Sequence, residues 1–255
     1  MGIAGTAMGS LAGMLKDSGF SITGSDAAIY PPMSTYLERL EIPVMKGFNA
    51  ENLSHNPDLV VVGNVIRAVY EEAVALQESE LPYCSFPQIL GHLFLNNAHS
   101  VVVAGTHGKT TTTAMIAWIF EDQGLDVGYL IAGKPKDFKK SARKGNNDIF
   151  VIEADEYDTA FFDKRSKFIH YKPDTLIINN IEFDHGDIFP DITYIHREFH
   201  HLVRSLKEEA SIIFPTDDLN IAKVLDMGCW SELISYGIGI EHNNSIKLND
   251  DPKRT

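Results

Sequence analysis

The run Ala104-Gly105-Thr106-His107-Gly108-Lys109-Thr110 has the residue types of a phosphate cradle. Glycines let successive backbone N–H groups turn toward phosphate oxygens, a lysine reaches the β and γ phosphates, and the following hydroxyl can ligate magnesium. The most frequent form of this loop has another glycine five residues before Gly108, where this chain has Val103. A β-branched run at 100–104 leads into the loop and a helical pattern over about 110–123 leaves it. Strand, loop and helix in that order are the setting such a cradle requires.

A cation shared with phosphates needs oxygen ligands at strand ends on the same rim of the sheet. Two acidic clusters follow apolar runs: Glu153-Ala154-Asp155-Glu156-Tyr157-Asp158, and Asn179-Asn180-Ile181-Glu182-Phe183-Asp184-His185. In an open parallel sheet Glu153 and His185 can converge on a metal although they are far apart in sequence. A solvated acidic loop is the competing reading of each cluster. A second glycine-rich turn, Gly2-Ile3-Ala4-Gly5-Thr6-Ala7-Met8-Gly9, precedes a helical pattern at 11–16. It departs from Gly-x-Gly-x-x-Gly at Ala4, so a phosphate turn and a plain helix-capping loop both fit it.

The elements that must position these residues alternate in type, as in a parallel sheet covered by helices. Helices are expected at 33–40, 69–78 and about 88–95, and strands at 20–23 and 59–62. A polar joint, Asn96-Asn97-Ala98-His99, separates this part from the next. Further strands are expected at 127–131, 149–152, 175–178 and 211–214, with an amphipathic helix over 191–207. The tail after Gly237 has no apolar periodicity and is expected to fray. The fold class is therefore α/β: a Rossmann-like unit at 1–97, then a P-loop ATPase-type unit with a mostly parallel sheet at 98–255.

The chain's 255 residues suffice for two such units, and 44% hydrophobic content is ordinary for a globular protein. With 22 basic and 35 acidic residues the net charge is -13, which opposes a nucleic-acid partner. No apolar run of about 18 residues exists to span a membrane. The N-terminus lacks the basic flank of an export signal. Cys84 and Cys229 show no metal spacing and suit a reducing, cytoplasmic setting.

Gly-Thr-His-Gly-Lys-Thr, Glu-Ala-Asp-Glu and Asn-Ile-Glu-Phe-Asp-His, in this order and spacing, resemble the Mur ligases of bacterial cell-wall synthesis. Tyr30-Pro31-Pro32-Met33-Ser34-Thr35 and the stretch 156–168 resemble those members that attach L-alanyl-γ-D-glutamyl-meso-diaminopimelate, the murein tripeptide, to UDP-N-acetylmuramate during peptidoglycan recycling. The L-alanine-adding members are the alternative, and a non-catalytic nucleotide or UDP-sugar binder is another. The resemblance implies ATP held by Gly105, Thr106, His107, Gly108, Lys109, Thr110 and Thr111. It implies Mg2+ held by Thr110, Glu153 and His185, with Lys109, Glu153 and His185 as the catalytic set. It also implies UDP-N-acetylmuramate at Gly5, Thr6, Met8, Gly9, Ser25, Asp26 and Asn180. Some Mur ligases use a carbamoylated lysine about fifteen residues past the metal histidine. Here His200 and His201 stand there, read as helix surface or interface. A doubly wound unit has a central strand before its glycine turn, and Mur ligases carry a third domain. Neither is expected within these residues, so the N-terminal unit is expected to be loosened and the chain to turn over no substrate by itself.

Overall fold

The structure is a computed structural model that describes residues 1–133, 135–136, 138, 140–183 and 191–237, and the backbone of 245–247. The first part contains α1 (Thr6–Asp17), β1 (Gly24–Asp26), α2 (Met33–Arg39), β2 (Val44–Lys46), β3 (Val60–Val62), α3 (Glu71–Glu78), β4 (Tyr83–Ser85) and α4 (Phe86–Leu90). β1 pairs with β2 and β3 with β4, both in parallel. Residues 1–3 lie between the two pairs. The Gly2 and Ile3 N–H groups donate to Ser25 O at 2.8 and 3.1 Å. On the other side the Met1 ammonium donates to Val61 O at 2.8 Å, and Gly63 N–H donates to Met1 O at 3.0 Å. The two ribbons are thereby joined at the level of the glycine turn.

The second part contains β5 (His99–Ala104), α5 (Lys109–Asp122), β6 (Gly128–Leu130), β7 (Ala142–Arg143), β8 (Ile149–Glu153), β9 (Asp158–Ala160), β10 (Asp163–Ser166) and β11 (Thr175–Ile178). It continues through α6 (Ile192–Val203), β12 (Ser211–Pro215), α7 (Leu219–Asp226), β13 (Glu232–Gly237) and β14 (Ser245–Lys247). Eight strands form one sheet in the order β14-β13-β12-β11-β5-β8-β6-β7, parallel except for β7. β5 lies centrally, and Val102, Val103, Ile152, Leu176 and Ile178 on it and its neighbours are fully buried. Strands covered on both faces read as continuous β-branched runs, which is why the sequence showed them. The largest apolar cluster also takes Leu11 and Met14 from α1 and Phe86 and Leu90 from α4, so it crosses position 97.

Most expected elements lie within about two residues of their places; the helix expected over 191–207 ends at Val203, and four other places depart from expectation in position, start or extent. The strand expected at 20–23 forms at Gly24–Asp26 instead, because pairing partners exist only there: β2 on one flank and residues 1–3 on the other. The first helix starts at Thr6, five residues before the apolar pattern at 11–16, so Thr6, Met8 and Gly9 are helical rather than part of a turn. The helix expected from 88 begins at Phe86, where Ser85 and Gln88 form a reciprocal capping box. Beyond Gly237, Ser245–Lys247 adds a parallel strand beside β13 through backbone pairing that apolar periodicity does not report.

Candidate functional site

Gly105 to Lys109 join the C-terminal end of β5 to the start of α5, with Gly105 at φ 140 and Gly108 at φ 78. Both angles favour glycine. The loop is fastened from β11, the next strand of the sheet. Thr106 N–H donates to Asn180 O at 3.1 Å and His107 N–H to Asn180 Oδ1 at 2.8 Å. Asn179 Nδ2 donates to Thr112 Oγ1 at 3.0 Å. Glu182 N–H donates to the Thr106 hydroxyl at 2.9 Å. Adjacent parallel strands thus turn the Asn179-Asn180 pair into a brace for the loop. Asn180, expected on the sugar side, is placed against the phosphate loop.

Lys109 donates to Gly105 O at 2.7 Å and lies 3.6 Å from Glu156 Oε2 and 4.0 Å from Asp155 Oδ1. The Thr110 hydroxyl donates to Glu153 Oε2 at 2.7 Å, and the Ala132 N–H donates to the other oxygen of the same carboxylate. Glu153 is buried, and burial raises its pKa against the lowering effect of those two hydrogen bonds. Two residues 43 positions apart therefore present hard oxygens side by side, next to the first turn of α5. A hydroxyl and a desolvated carboxylate beside a phosphate cradle fit Mg2+, which prefers oxygen ligands. Among the described residues no three His, Cys, Asp or Glu side chains cluster as a complete metal site. His185 lies outside the described residues.

The glycine turn at the front is a distinct feature. Gly5 caps α1 with no side-chain partner, leaving N–H groups of the first helical turn available to an anion. Asp26 Oδ2 accepts from Ala4 N–H at 2.8 Å. Ser25 is buried, and its hydroxyl donates to the buried Glu72 at 2.9 Å. Gly9 is buried inside α1 at the point where a Cβ would strike the Met33 sulfur of α2. Its lack of a side chain thus serves helix packing. Thr6 is exposed and Met8 half-buried, so these two lie nearer to solvent than Ser25 and Gly9.

Two sequence profiles match the chain: one described as Mur ligase family, catalytic domain, over residues 1–97, and one described as Mur ligase middle domain, over 103–254. The chain belongs to the Mur ligase family. It is 50% identical over 232 residues to the UDP-N-acetylmuramate–L-alanyl-γ-D-glutamyl-meso-2,6-diaminoheptandioate ligase of Escherichia coli K12, covering 91% of this chain and 51% of that protein. The crystal structure of the corresponding ligase from Neisseria meningitides superposes with a TM-score of 0.88 at 47% identity, covering 93% of this chain and 76% of that one. The UDP-N-acetylmuramate–L-alanine ligase of Syntrophomonas wolfei is 31% identical, covering 93% of this chain and 49% of that protein. The chain spans about half the length of the curated relatives it matches.

Sequence reasoning quoted Asp155, Glu156, Asn179 and Lys167 within longer stretches without assigning them a role, and it missed Asp218. Asp218 caps α7 and also accepts from Ile181 N–H at 2.9 Å, which ties the segment after β11 to α7. The available signal was an Asp-Asp pair following the apolar run at 211–214. His200 and His201 lie on α6 and are partly buried, His201 3.8 Å from Glu198, in keeping with helix surface or interface. Among the described residues no helix is long and apolar enough to cross a membrane.

Proposed function

We propose that the chain carries the nucleotide- and UDP-sugar-binding parts of an ATP-dependent ligase. That ligase joins L-alanyl-γ-D-glutamyl-meso-diaminopimelate to UDP-N-acetylmuramate in the cytoplasm, in peptidoglycan recycling. The observation that carries the reading is the Thr110–Glu153 contact beside Lys109, an arrangement suited to magnesium-ATP. Supporting it, the tripeptide-adding relative is 50% identical and the alanine-adding relative 31%.

In this reading residues 1–97 hold the sugar nucleotide, with its diphosphate at the start of α1 near Gly5 and Thr6. The residues from 98 onward hold ATP. The lactyl carboxylate of the sugar attacks the γ phosphorus, ADP departs, and the resulting acyl phosphate is opened by the peptide amine with loss of phosphate. Lys109 exchanges its carbonyl partner for phosphate oxygens and opposes the charge gathered there. Gly105, Thr106, His107, Gly108 and Thr111 shape and flank the cradle, and Asn180 holds it in place. Magnesium, when bound by Thr110 and Glu153, supplies further charge neutralisation, with His185 as the proposed residue for a second ion.

Isothermal titration of the chain with ATP, with and without magnesium, and with UDP-N-acetylmuramate tests the binding roles. Magnesium-dependent ATP binding that Lys109→Met abolishes is the expected result, and absence of both ligands' binding would overturn the reading. Phosphate release that requires tripeptide identifies the acceptor, whereas release with L-alanine alone selects the alanine-adding activity.

A further inference from the structure

The chain leaves the phosphate rim at Glu156 and Tyr157, runs through the β9–β10 antiparallel hairpin, and returns at Lys167. The hairpin touches the first part of the molecule at its turn. Phe161 packs with the cluster of Met1, Val60 and Leu76, and the Phe162 ring meets Tyr83 edge to face at 5.1 Å. Its other end is fixed to the rim, where Lys167 N–H donates to Tyr157 O at 3.0 Å. The hairpin thus connects the glycine-turn half to the phosphate loop.

The stretch 156–168 carries three cationic side chains, and their charges are used differently. Lys164 donates to Asp158 at 3.0 Å, and Arg165 forks onto Asp163 at 2.9 and 2.7 Å. Lys167 is different. Its side chain is only 15% exposed, yet among the described residues its ammonium makes no hydrogen bond. The nearest carboxylate oxygen, Asp155 Oδ2, is 3.9 Å away, and the Tyr157 ring centroid is at 5.8 Å. The other oxygen of Asp155 stands 4.0 Å from Lys109, so this carboxylate lies between two ammonium groups without a hydrogen bond to either. Among the described residues the buried Glu156 Oε2 also has no hydrogen-bond partner, with Lys109 at 3.6 Å. A mostly buried ammonium whose nearest described carboxylate lies beyond hydrogen-bond distance is held by charge attraction alone, which leaves it able to take a closer anion. Burial accordingly lowers the Lys167 pKa against the pull of Asp155 and Glu156.

We propose that Lys167 binds the carboxylate of the acceptor sugar, on the far side of Asp155 from the phosphate loop. The inference rests on the ligase reading above. Nucleotide phosphates arrive at Gly105–Lys109, where Lys109 and the backbone already meet them. An anion arriving from the glycine-turn half reaches the rim along the hairpin and finds Lys167. Two anions must approach each other for the carboxylate to attack phosphorus, and a cation at the carboxylate reduces their repulsion. A lysine suits the task better than an arginine. A point charge can hold one carboxylate oxygen and leave the other free, where a guanidinium fork would engage both.

The test is titration calorimetry of the chain and its Lys167→Met and Lys167→Gln variants with three ligands. These are UDP-N-acetylmuramate, UDP-N-acetylglucosamine, which lacks the lactyl carboxylate, and magnesium with a non-hydrolysable ATP analogue. A charge-assisted hydrogen bond to the carboxylate gives a preference of about tenfold or more for the muramate sugar. Both variants are expected to lose that preference while binding the ATP analogue within about twofold of the parent, since a single such contact is removed. Circular dichroism and the thermal midpoint establish that each variant is folded. Unchanged preference in a folded variant overturns the proposal, and so does an equal loss of ATP-analogue affinity, which would assign Lys167 to the phosphates. A parent chain that binds no ligand defeats the ligase reading itself, whereas a parent that binds all three with a preference the variants retain defeats only the role of Lys167.

Discussion

Replacing Gly105 with alanine measures how firmly β11 holds the phosphate loop. At φ 140 an alanine occupies a backbone region that L-residues rarely enter, at a cost of about 1–3 kcal/mol. Its Cβ would lie 3.1 Å from Asn180 O, 3.2 Å from Asn180 N and 3.1 Å from Asn179 Cβ. Two of those atoms are backbone at the end of a central strand and cannot swing aside, which adds overpacking of about 1–3 kcal/mol. The expected loss is about 2–6 kcal/mol in urea unfolding, a large part of the roughly 5–15 kcal/mol typical of a domain. The loop's cheapest relief is to withdraw from β11, breaking Thr106 N–H to Asn180 O and His107 N–H to Asn180 Oδ1, so ATP affinity should fall at least about tenfold as well. Gly124→Ala is the control. Gly124 has φ 78 but nothing within 4 Å of the added carbon, so only the left-handed backbone cost of about 1–2 kcal/mol applies. Nucleotide binding should be untouched. If Gly105→Ala is no more destabilising than Gly124→Ala and binds ATP normally, the argument that β11 braces the loop is wrong.

Thr110→Val removes the hydroxyl that meets Glu153, and calorimetry should show about a tenfold or greater loss of magnesium-dependent ATP affinity with little change in magnesium-free binding. Asp163 is held at a pKa of about 2, chiefly by the Arg165 side-chain hydrogen bonds. Because that folded-state value is depressed, its stabilisation is present above the unfolded value of about 3.9 and disappears as pH falls toward about 2. Urea titrations between those limits should show Asp163→Asn losing less stability than the parent as pH falls. Asp218→Ala removes the α7 cap, worth about 1 kcal/mol, and orphans the N–H of buried Ile181, worth about 1–3 kcal/mol. A fall in unfolding free energy below 1 kcal/mol would contradict that sum, which is about 2–4 kcal/mol.

What the sequence made legible follows from which residues carry a local signal. β5, β8 and β11 are covered on both faces, so each is an unbroken apolar run, and the loop and acidic clusters at their ends could be placed on one rim. Thr110 and Glu153 then meet because parallel pairing puts Val103 opposite Glu153. Among the short strands of the first part only β3 gave such a signal, as the apolar run at 59–62. β1, β2, β3 and β4 have three residues each, and the start of β1 at Gly24 is fixed by the approach of Ile3, where an added Cβ would collide. The hairpin at 158–166 was quoted for its likeness to relatives, yet its polar strands have no apolar alternation to announce them. The role of Lys167 was not legible for a related reason. A lysine's burial depends on what the hairpin packs against, and no pattern within residues 156–168 encodes the contact of Phe162 with Tyr83.

The same geometry explains how a chain of net charge -13 can hold phosphates at all. Asp155 and Glu156 crowd the rim, and by themselves they would repel a nucleotide. Lys109 stands within 4.0 Å of both carboxylates and donates to Gly105 O, so its charge is shared with partners inside the chain. Phosphate must compete for that ammonium, and metal brought with the nucleotide shifts the balance by adding positive charge at Thr110 and Glu153. The acidic surroundings therefore make binding conditional on the cation, since bare ATP meets three carboxylates against two ammonium groups whereas magnesium-ATP brings its own compensation. On this argument Glu156→Gln should narrow the gap between magnesium-bound and magnesium-free ATP affinity by strengthening the latter. A gap left as wide as in the parent would show that Glu156 exerts no such control.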